Sequence, residues 1–270
     1  MPRITDVVSE VYMRSQRSRP SGSALRTVKQ AIETFEIEDV ITERDMSWYI
    51  RNSCINYWSL NDETISGATV RDLEGSDDGT ITGSPTTEPG IIHSALGFDG
   101  SADYMTATPS NLASGGISIE CWFNPTQVTG ADTLVEHQPV SLGGWIIDYS
   151  TVTLDFILKG PDPPGYYGAQ LVLPAALLGR WHHVVCTYDG STIKAYLDGI
   201  QAIGNSVSQA LLTTGTVLLC GSSNRANAKI EQFRLYSRAL TEEEVTVNYL
   251  ARSFPIWGVY GAWNEGFVGQ

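Results

Sequence analysis

Trp181-His-His-Val-Val-Cys-Thr-Tyr-Asp-Gly-Ser-Thr-Ile-Lys-Ala-Tyr-Leu-Asp-Gly199 decides the fold. Two Asp-Gly pairs, Asp189-Gly190 and Asp198-Gly199, bracket a run in which Ile193, Ala195 and Leu197 share one face. Asp-Gly between alternating runs predicts hairpins, because such turns need φ > 0. Upstream, Ile117-Ser-Ile-Glu-Cys-Trp-Phe123 alternates likewise, with Ile117, Ile119, Cys121 and Phe123 on one side. Side chains two residues apart line the same face of a strand, so this side faces a core. Trp145-Ile-Ile-Asp-Tyr149, Leu154-Asp-Phe-Ile-Leu158 and Gln170-Leu-Val-Leu173 are further short runs. Many short strands joined by turns predict an all-β sandwich or barrel.

The ends read differently. Thr241-Glu-Glu-Glu244 has a capping-box shape, with acids at the positive end of the dipole, and predicts a last helix from Thr241. Ile4, Val7, Val8 and Val11 recur at helical spacing, as do Leu25, Val28, Ala31, Ile32 and Phe35. Helices this short are marginal alone, so these stripes are expected to dock on a partner. Residues 1–30 carry a net +4, residues 31–51 a net −4, and the remainder holds the whole −13. At the other end Phe254, Trp257, Tyr260, Trp263 and Phe267 put a large apolar payload on a chain terminus, which is expected to fold back or to dock on a neighbour. The expected organisation is a helical anchoring arm over 1–52, a sandwich over 53–252 and an aromatic, Gly-rich tail over 253–270.

Several segments together resemble the laminin-G-like jelly rolls of the concanavalin A-like lectin/glucanase superfamily. They are Ala95-Leu-Gly-Phe-Asp-Gly100 with Asp103-Tyr104, Ile117 to Trp122, Arg180 to Gly190, Ile193 to Gly199, and Lys229 to Val245. The resemblance implies an all-β, two-sheet antiparallel jelly-roll sandwich, here with a short helical N-terminal arm. It also implies glycan or protein binding, often with a structural calcium, and not catalysis. The Glu-x-Asp-x-x-Glu strand of related glucanases does not occur. Where the family's last strand commonly reads Ile-Asp-Glu, this chain has Ile230-Glu231-Gln232.

Several residues are candidates for chemistry. Asp72, Glu74, Asp77 and Asp78 form an acid cluster in a Gly-rich loop, which suits either Ca²⁺ or a solvated turn. Asp72, Asp78 and Glu231 are the candidate metal ligands. Glu231 shares parity with Phe233 and Leu235 and is expected to point to the core, partnered by a cation, an Arg or backbone N–H groups. His182 and His183 face opposite sides of a strand and are expected to be ordinary sheet residues. Asp189, His183 and Ser191 lack a nucleophile elbow and make a poor triad. Trp145, Tyr166 and Tyr167, around the loop Gly160-Pro-Asp-Pro-Pro-Gly165, are the candidate aromatic platform for a sugar.

The charge of −13 argues against nucleic acid as a partner. No run approaches the ~20 apolar residues of a membrane span. Met1-Pro-Arg-Ile-Thr-Asp6 lacks the apolar region of a secretory signal, so reduced thiols are expected at Cys54, Cys121, Cys186 and Cys220. A surface-type module without a signal points to a particle released by lysis. The expectation is a non-enzymatic structural protein of a bacteriophage virion: a capsid decoration, head-fibre or tail-associated subunit. It would be made in the host cytoplasm, anchor to other virion proteins or to itself as a homo-oligomer, and face a surface glycan. A stand-alone carbohydrate-binding lectin is the alternative.

Overall fold

Asp198 and Gly199 both take positive φ, 53° and 78°, which closes the two-residue hairpin between Leu197 and Ile200. The other Asp-Gly pair turns differently. Asp189 N donates to Thr192 O across a longer connection in which Gly190 alone has φ > 0. Asp189 Oδ1 accepts from Ser191 N and Thr192 N, replacing the backbone partners that a tight turn would supply.

The computed structural model describes residues 53–138, 144–159, 166–172, 177–221 and 224–251. Strands β1 (Cys54–Trp58), β2 (Ile65–Ser66), β3 (Thr69–Val70), β4 (Gly79–Thr82), β5 (Thr86–Pro89) and β6 (Ser94–Asp99) come first. β7 (Tyr104–Ala107), β8 (Ile117–Gln127), β9 (Asp132–Gln138), β10 (Trp145–Tyr149), β11 (Thr153–Lys159) and β12 (Tyr166–Val172) follow. β13 (His182–Tyr188), β14 (Thr192–Leu197), β15 (Ile200–Ser206), β16 (Thr216–Leu219) and β17 (Asn227–Tyr236) complete the set. The first sheet runs β15-β14-β13-β8-β17-β6-β5, with β1 added to the far half of β17. The second runs β12-β11-β10-β9-β16-β7-β4-β3-β2. Every named strand pair is antiparallel.

The core lies between the inner faces. Ile117, Ile119, Cys121 and Phe123 of β8 enter it as the alternation predicts, with Val184 and Cys186 of β13 beside them. The second sheet contributes Trp145, Ile147, Leu154, Phe156 and Leu158. Each fully buried Phe or Leu contributes roughly 1.5–3 kcal/mol. Asn205 donates to Gly168 O, linking the β15 edge of one sheet to the β12 edge of the other. At the opposite edge β5 ends in Pro89, which has no N–H to offer a pairing strand.

One bulge reorganises the faces. Gln232 has φ 60°, and the β17–β8 register shifts between Glu231 and Arg234. Two residues, Gln232 and Phe233, therefore occupy the space opposite one. Ile230 and Phe233 both reach the core although they lie three apart. Glu231 pairs with Trp122 and so lies on the outer face, contrary to its expected core direction. Parity counted through a bulge gives the wrong side.

Ser53–Leu240 form one compact unit. Outside it, helix α1 (Glu242–Ala251) has the predicted capping box. Thr241 Oγ1 accepts from Glu244 N at 3.3 Å, and Glu244 Oε2 accepts from Thr241 N at 2.9 Å. No helix among the described residues is long and apolar enough to cross a membrane. The docking residues expected in the arm and tail (Ile4, Val7, Val8, Val11, Leu25, Val28, Ile32, Phe35, Trp257, Tyr260 and Trp263) lie outside the described residues.

Candidate functional site

The outer face of the first sheet carries the polar chemistry of the sandwich. Opposite the core-facing positions of β8 stand Ser118, Glu120 and Trp122, all buried. Glu120 Oε1 accepts from Arg234 at 3.1 Å and pairs with His183 Nε2 at 2.9 Å, while Oε2 accepts from the Tyr236 hydroxyl at 2.6 Å. Arg234 also donates to Gln232 Oε1 at 2.6 Å and lies over the Tyr57 ring, 4.5 Å from its centroid. Tyr57 donates to the same Gln232 oxygen. Burial alone would raise the Glu120 carboxyl. The Arg234 charge, with hydrogen bonds from His183 and Tyr236, outweighs burial and holds it at about 2. A carboxylate so engaged is ionised at neutral pH. It serves as a structural anchor and cannot supply a proton near neutral pH.

Towards the β5 edge the same face opens into a trough of about 510 Å³. Its lining includes Gly97, where a Cβ would fall 2.9 Å from both Glu88 Cγ and Thr86 Oγ1, so glycine lets those two side chains lie across the strand. Register places Gly97 opposite both Thr86 and Lys229. Lys229 Nζ meets Glu88 Oε2 at 2.9 Å, and Thr86 Oγ1 donates to Glu88 Oε1 at 3.0 Å. These bonds lower the Glu88 pKa, Lys229 most strongly. Asp99 Oδ1 accepts the backbone N–H groups of Ser101, Ala102 and Asp103, which hold that carboxyl below its usual range. Asp103 Oδ1 accepts Ser84 N at 2.7 Å. Thr126 Oγ1 donates to Asn227 O at 3.1 Å, and Asn227 Nδ2 donates to Asp99 O at 3.1 Å. A second groove of about 500 Å³ shares Gly83 and Ser84 with the first and continues between the open edges of the two sheets, past Ile65, Ile81 and Leu96. Gly83 has φ 90°, and a Cβ there would fall 2.2 Å from Asp103 Oδ1, so the β4–β5 turn requires glycine.

The residues singled out in the sequence are placed otherwise. Asp72 is buried rather than a solvated turn. Its two oxygens accept from Asn56 Nδ2, Tyr57 N, Glu74 N, Gly75 N and Asp77 N. Asp78 Oδ1 accepts Asp72 N. Asp77 accepts from Ser110 and Asn56. Glu231 accepts Ile91 N at 2.7 Å, Ile92 N at 3.2 Å and His93 N at 2.7 Å. Backbone amides are thus its partner, one of the three alternatives. Asp72, Asp78 and Glu231 do not converge, and no metal-holding group of three or more His, Cys, Asp or Glu occurs among the described residues. Carboxylates that buttress loops through amides look identical to calcium ligands in a sequence.

Trp145 is 1% exposed, stacked on His137 at 5.5 Å in the core, and so is not a surface platform. It faces inward because it pairs with Leu158, on the core side of β11. The side chains of Tyr166 and Tyr167 lie outside the described residues. His183 faces outward to Glu120, while His182 Nδ1 meets Asp198 Oδ2 at 2.9 Å. They take separate partners, as opposite-facing neighbours must. No triad assembles, since Ser191 Oγ donates to Asp189 and His183 is held by Glu120. The trough was not foreseen. Its one local signal in the sequence is Gly97-x-Asp99-Gly100, a pattern that strand alternation does not distinguish from an ordinary turn.

A family model described as the concanavalin A-like lectin/glucanases superfamily matches residues 99–246. Solved structures of the same fold include the binding domain of botulinum neurotoxin DC in complex with rat synaptotagmin II. It has a TM-score of 0.61 and 16% identity, over 75% of this chain and 52% of that one. The receptor binding domain of botulinum neurotoxin D matches with a TM-score of 0.62 at 14% identity, over 75% of this chain and 54% of its own. A botulinum neurotoxin type C structure, from work on cell entry dependent on two ganglioside molecules, matches with a TM-score of 0.61 at 16% identity, over 76% and 52%. The chain spans about half the length of the solved structures it matches. No curated protein matches it.

Proposed function

Because the chain belongs to the concanavalin A-like lectin/glucanases superfamily, we propose that it is a non-catalytic binding module whose outer-face trough takes a glycan-type ligand. The observation that carries this reading is the trough itself. It is a groove of about 510 Å³ whose polar side chains are fixed by one another and by backbone amides before any ligand arrives. Such pre-organisation lowers the ordering cost of binding. Toxin structures of this fold are described in complex with synaptotagmin II and in connection with gangliosides, which supports a recognition role here by analogy. The absence of catalysis is part of the proposal. A general acid needs a raised pKa, whereas Glu88 and Asp99 in the trough are both lowered.

The setting we propose is a larger assembly, a bacteriophage virion. There the module serves as a capsid decoration, head-fibre or tail-associated subunit, as a homo-oligomer or bound to other virion proteins through residues 1–52 and 253–270. The amphipathic arm, basic over residues 1–30, and the aromatic tail support this setting. A stand-alone lectin is the second reading, favoured by a trough built wholly within Ser53–Leu240.

Titration of the full chain against a glycan panel tests the binding role. Binding is expected, and Thr126→Trp, which fills the trough from an exposed position, is expected to abolish it while the protein stays folded, the melting temperature falling only by what the lost Thr126–Asn227 hydrogen bond is worth, about 1 kcal/mol. Flat titrations across the panel would sink the reading. Light scattering tests the setting. A defined oligomer that loses mass on Trp257→Ser or Trp263→Ser is expected, while a monomeric full chain shifts the weight to the stand-alone lectin.

A further inference from the structure

We propose, resting on the reading of the trough as a glycan site, that it selects uncharged, hydroxyl-rich saccharides and rejects anionic ones. Three carboxylates line it, Glu88, Asp99 and Asp103, against one ammonium, Lys229. That ammonium is already engaged by Glu88 at 2.9 Å. The adjoining groove adds Asp62 and no cation. Arg225, which lies over the Tyr104 ring and donates to Ser101 O, does not line either groove.

Hydrogen-bond polarity points the same way. Asp99 Oδ1 takes three backbone amides, and Oδ2 has no partner among the described residues. The walls therefore mainly accept. A neutral sugar supplies hydroxyl donors that suit them, whereas a carboxylate or sulfate supplies only acceptors and a repelled charge. Glu88 and Asp99 are both held below the usual carboxylate range, so the repulsion persists through neutral pH. A like charge about 7 Å away in a water-like medium weakens binding about threefold, so an excess of two carboxylates gives roughly tenfold discrimination. Salt screens this discrimination.

The test is calorimetric titration of the full chain with neutral oligosaccharides, each paired with its sialylated or sulfated form. Neutral members are expected to bind about tenfold more tightly than their anionic partners, with the gap narrowing in about 0.5 M salt. Glu88→Lys, which leaves two carboxylates against two ammoniums, is expected to close most of the gap. If that variant melts low, Thr86→Lys makes the same kind of change at a neighbouring exposed position. Equal or tighter anionic binding that Thr126→Trp removes would overturn the selectivity and leave the trough as the site. Binding that Thr126→Trp leaves intact, or no binding by any member, would overturn the trough as the site and the selectivity with it.

Discussion

Glu120→Gln removes one negative charge from the buried network while keeping its shape. Arg234, 3% exposed, then loses the counter-charge of Glu120. The magnitude follows from linkage. The Glu120 carboxyl is held at about 2 against an ordinary 4.5, although burial alone would raise it, because Arg234 and the His183 and Tyr236 hydrogen bonds prevail. That difference corresponds to roughly 3 kcal/mol, in line with the ~3–5 kcal/mol lost when one member of a buried pair is removed. A carboxyl with a depressed folded pKa contributes fully above its unfolded value. Its contribution therefore stands above about pH 4.5 and is lost as pH falls through 4.5 towards 2. In urea melts at pH 7 the variant is expected to be about 3 kcal/mol less stable, about 6–12 °C in Tm. The gap should shrink as both proteins are taken towards pH 2. Glu120→Gln combined with Arg234→Met should recover much of the loss, since no buried guanidinium is then left to be compensated. A variant within about 0.5 kcal/mol of the parent at pH 7, or a gap that does not narrow in acid, would refute the reasoning.

Trp145→Ala is expected to cost about 3–5 kcal/mol by opening a core cavity. In conditions where the variant remains folded, glycan affinity should be unchanged, and a selective loss of binding would restore Trp145 to the ligand surface. Burial lowers the His137 pKa, so the folded state prefers the neutral ring. Its contribution is present above the unfolded value near 6.5 and fades as pH falls below it, a slope in urea midpoints that His137→Leu should flatten. Chelation by EDTA should leave the melting temperature unchanged, because amides already hold Asp72 and Glu231. Asp72→Ala, which strips those donors of their acceptor, should cost about 2 kcal/mol or more. A fall in melting temperature on chelation would put a cation back at these carboxylates.

Local pattern carried the all-β class, the alternation of β8, the Asp198-Gly199 hairpin and the capped helix at Thr241. Each rests on residues within one or two turns of chain, where steric preference and period-2 burial act without distant partners. The face of Glu231 was beyond that reach. It depends on a bulge at Gln232, which becomes visible only when β17 is laid against β8. The same holds for the role of each carboxylate. Glu120 finds Arg234 across 114 residues of sequence, and Glu231 finds the Ile91–His93 amides across about 140. Asp99 and Asn227 meet 128 residues apart to build the trough. The sequence by itself determined which stretches become strands and which of their faces are apolar, because burial periodicity is a local property of the chain. Only the tertiary structure decided which polar groups meet, and so which acids are anchors and which line a groove, because hydrogen-bond partners are chosen by strand order and register between distant segments.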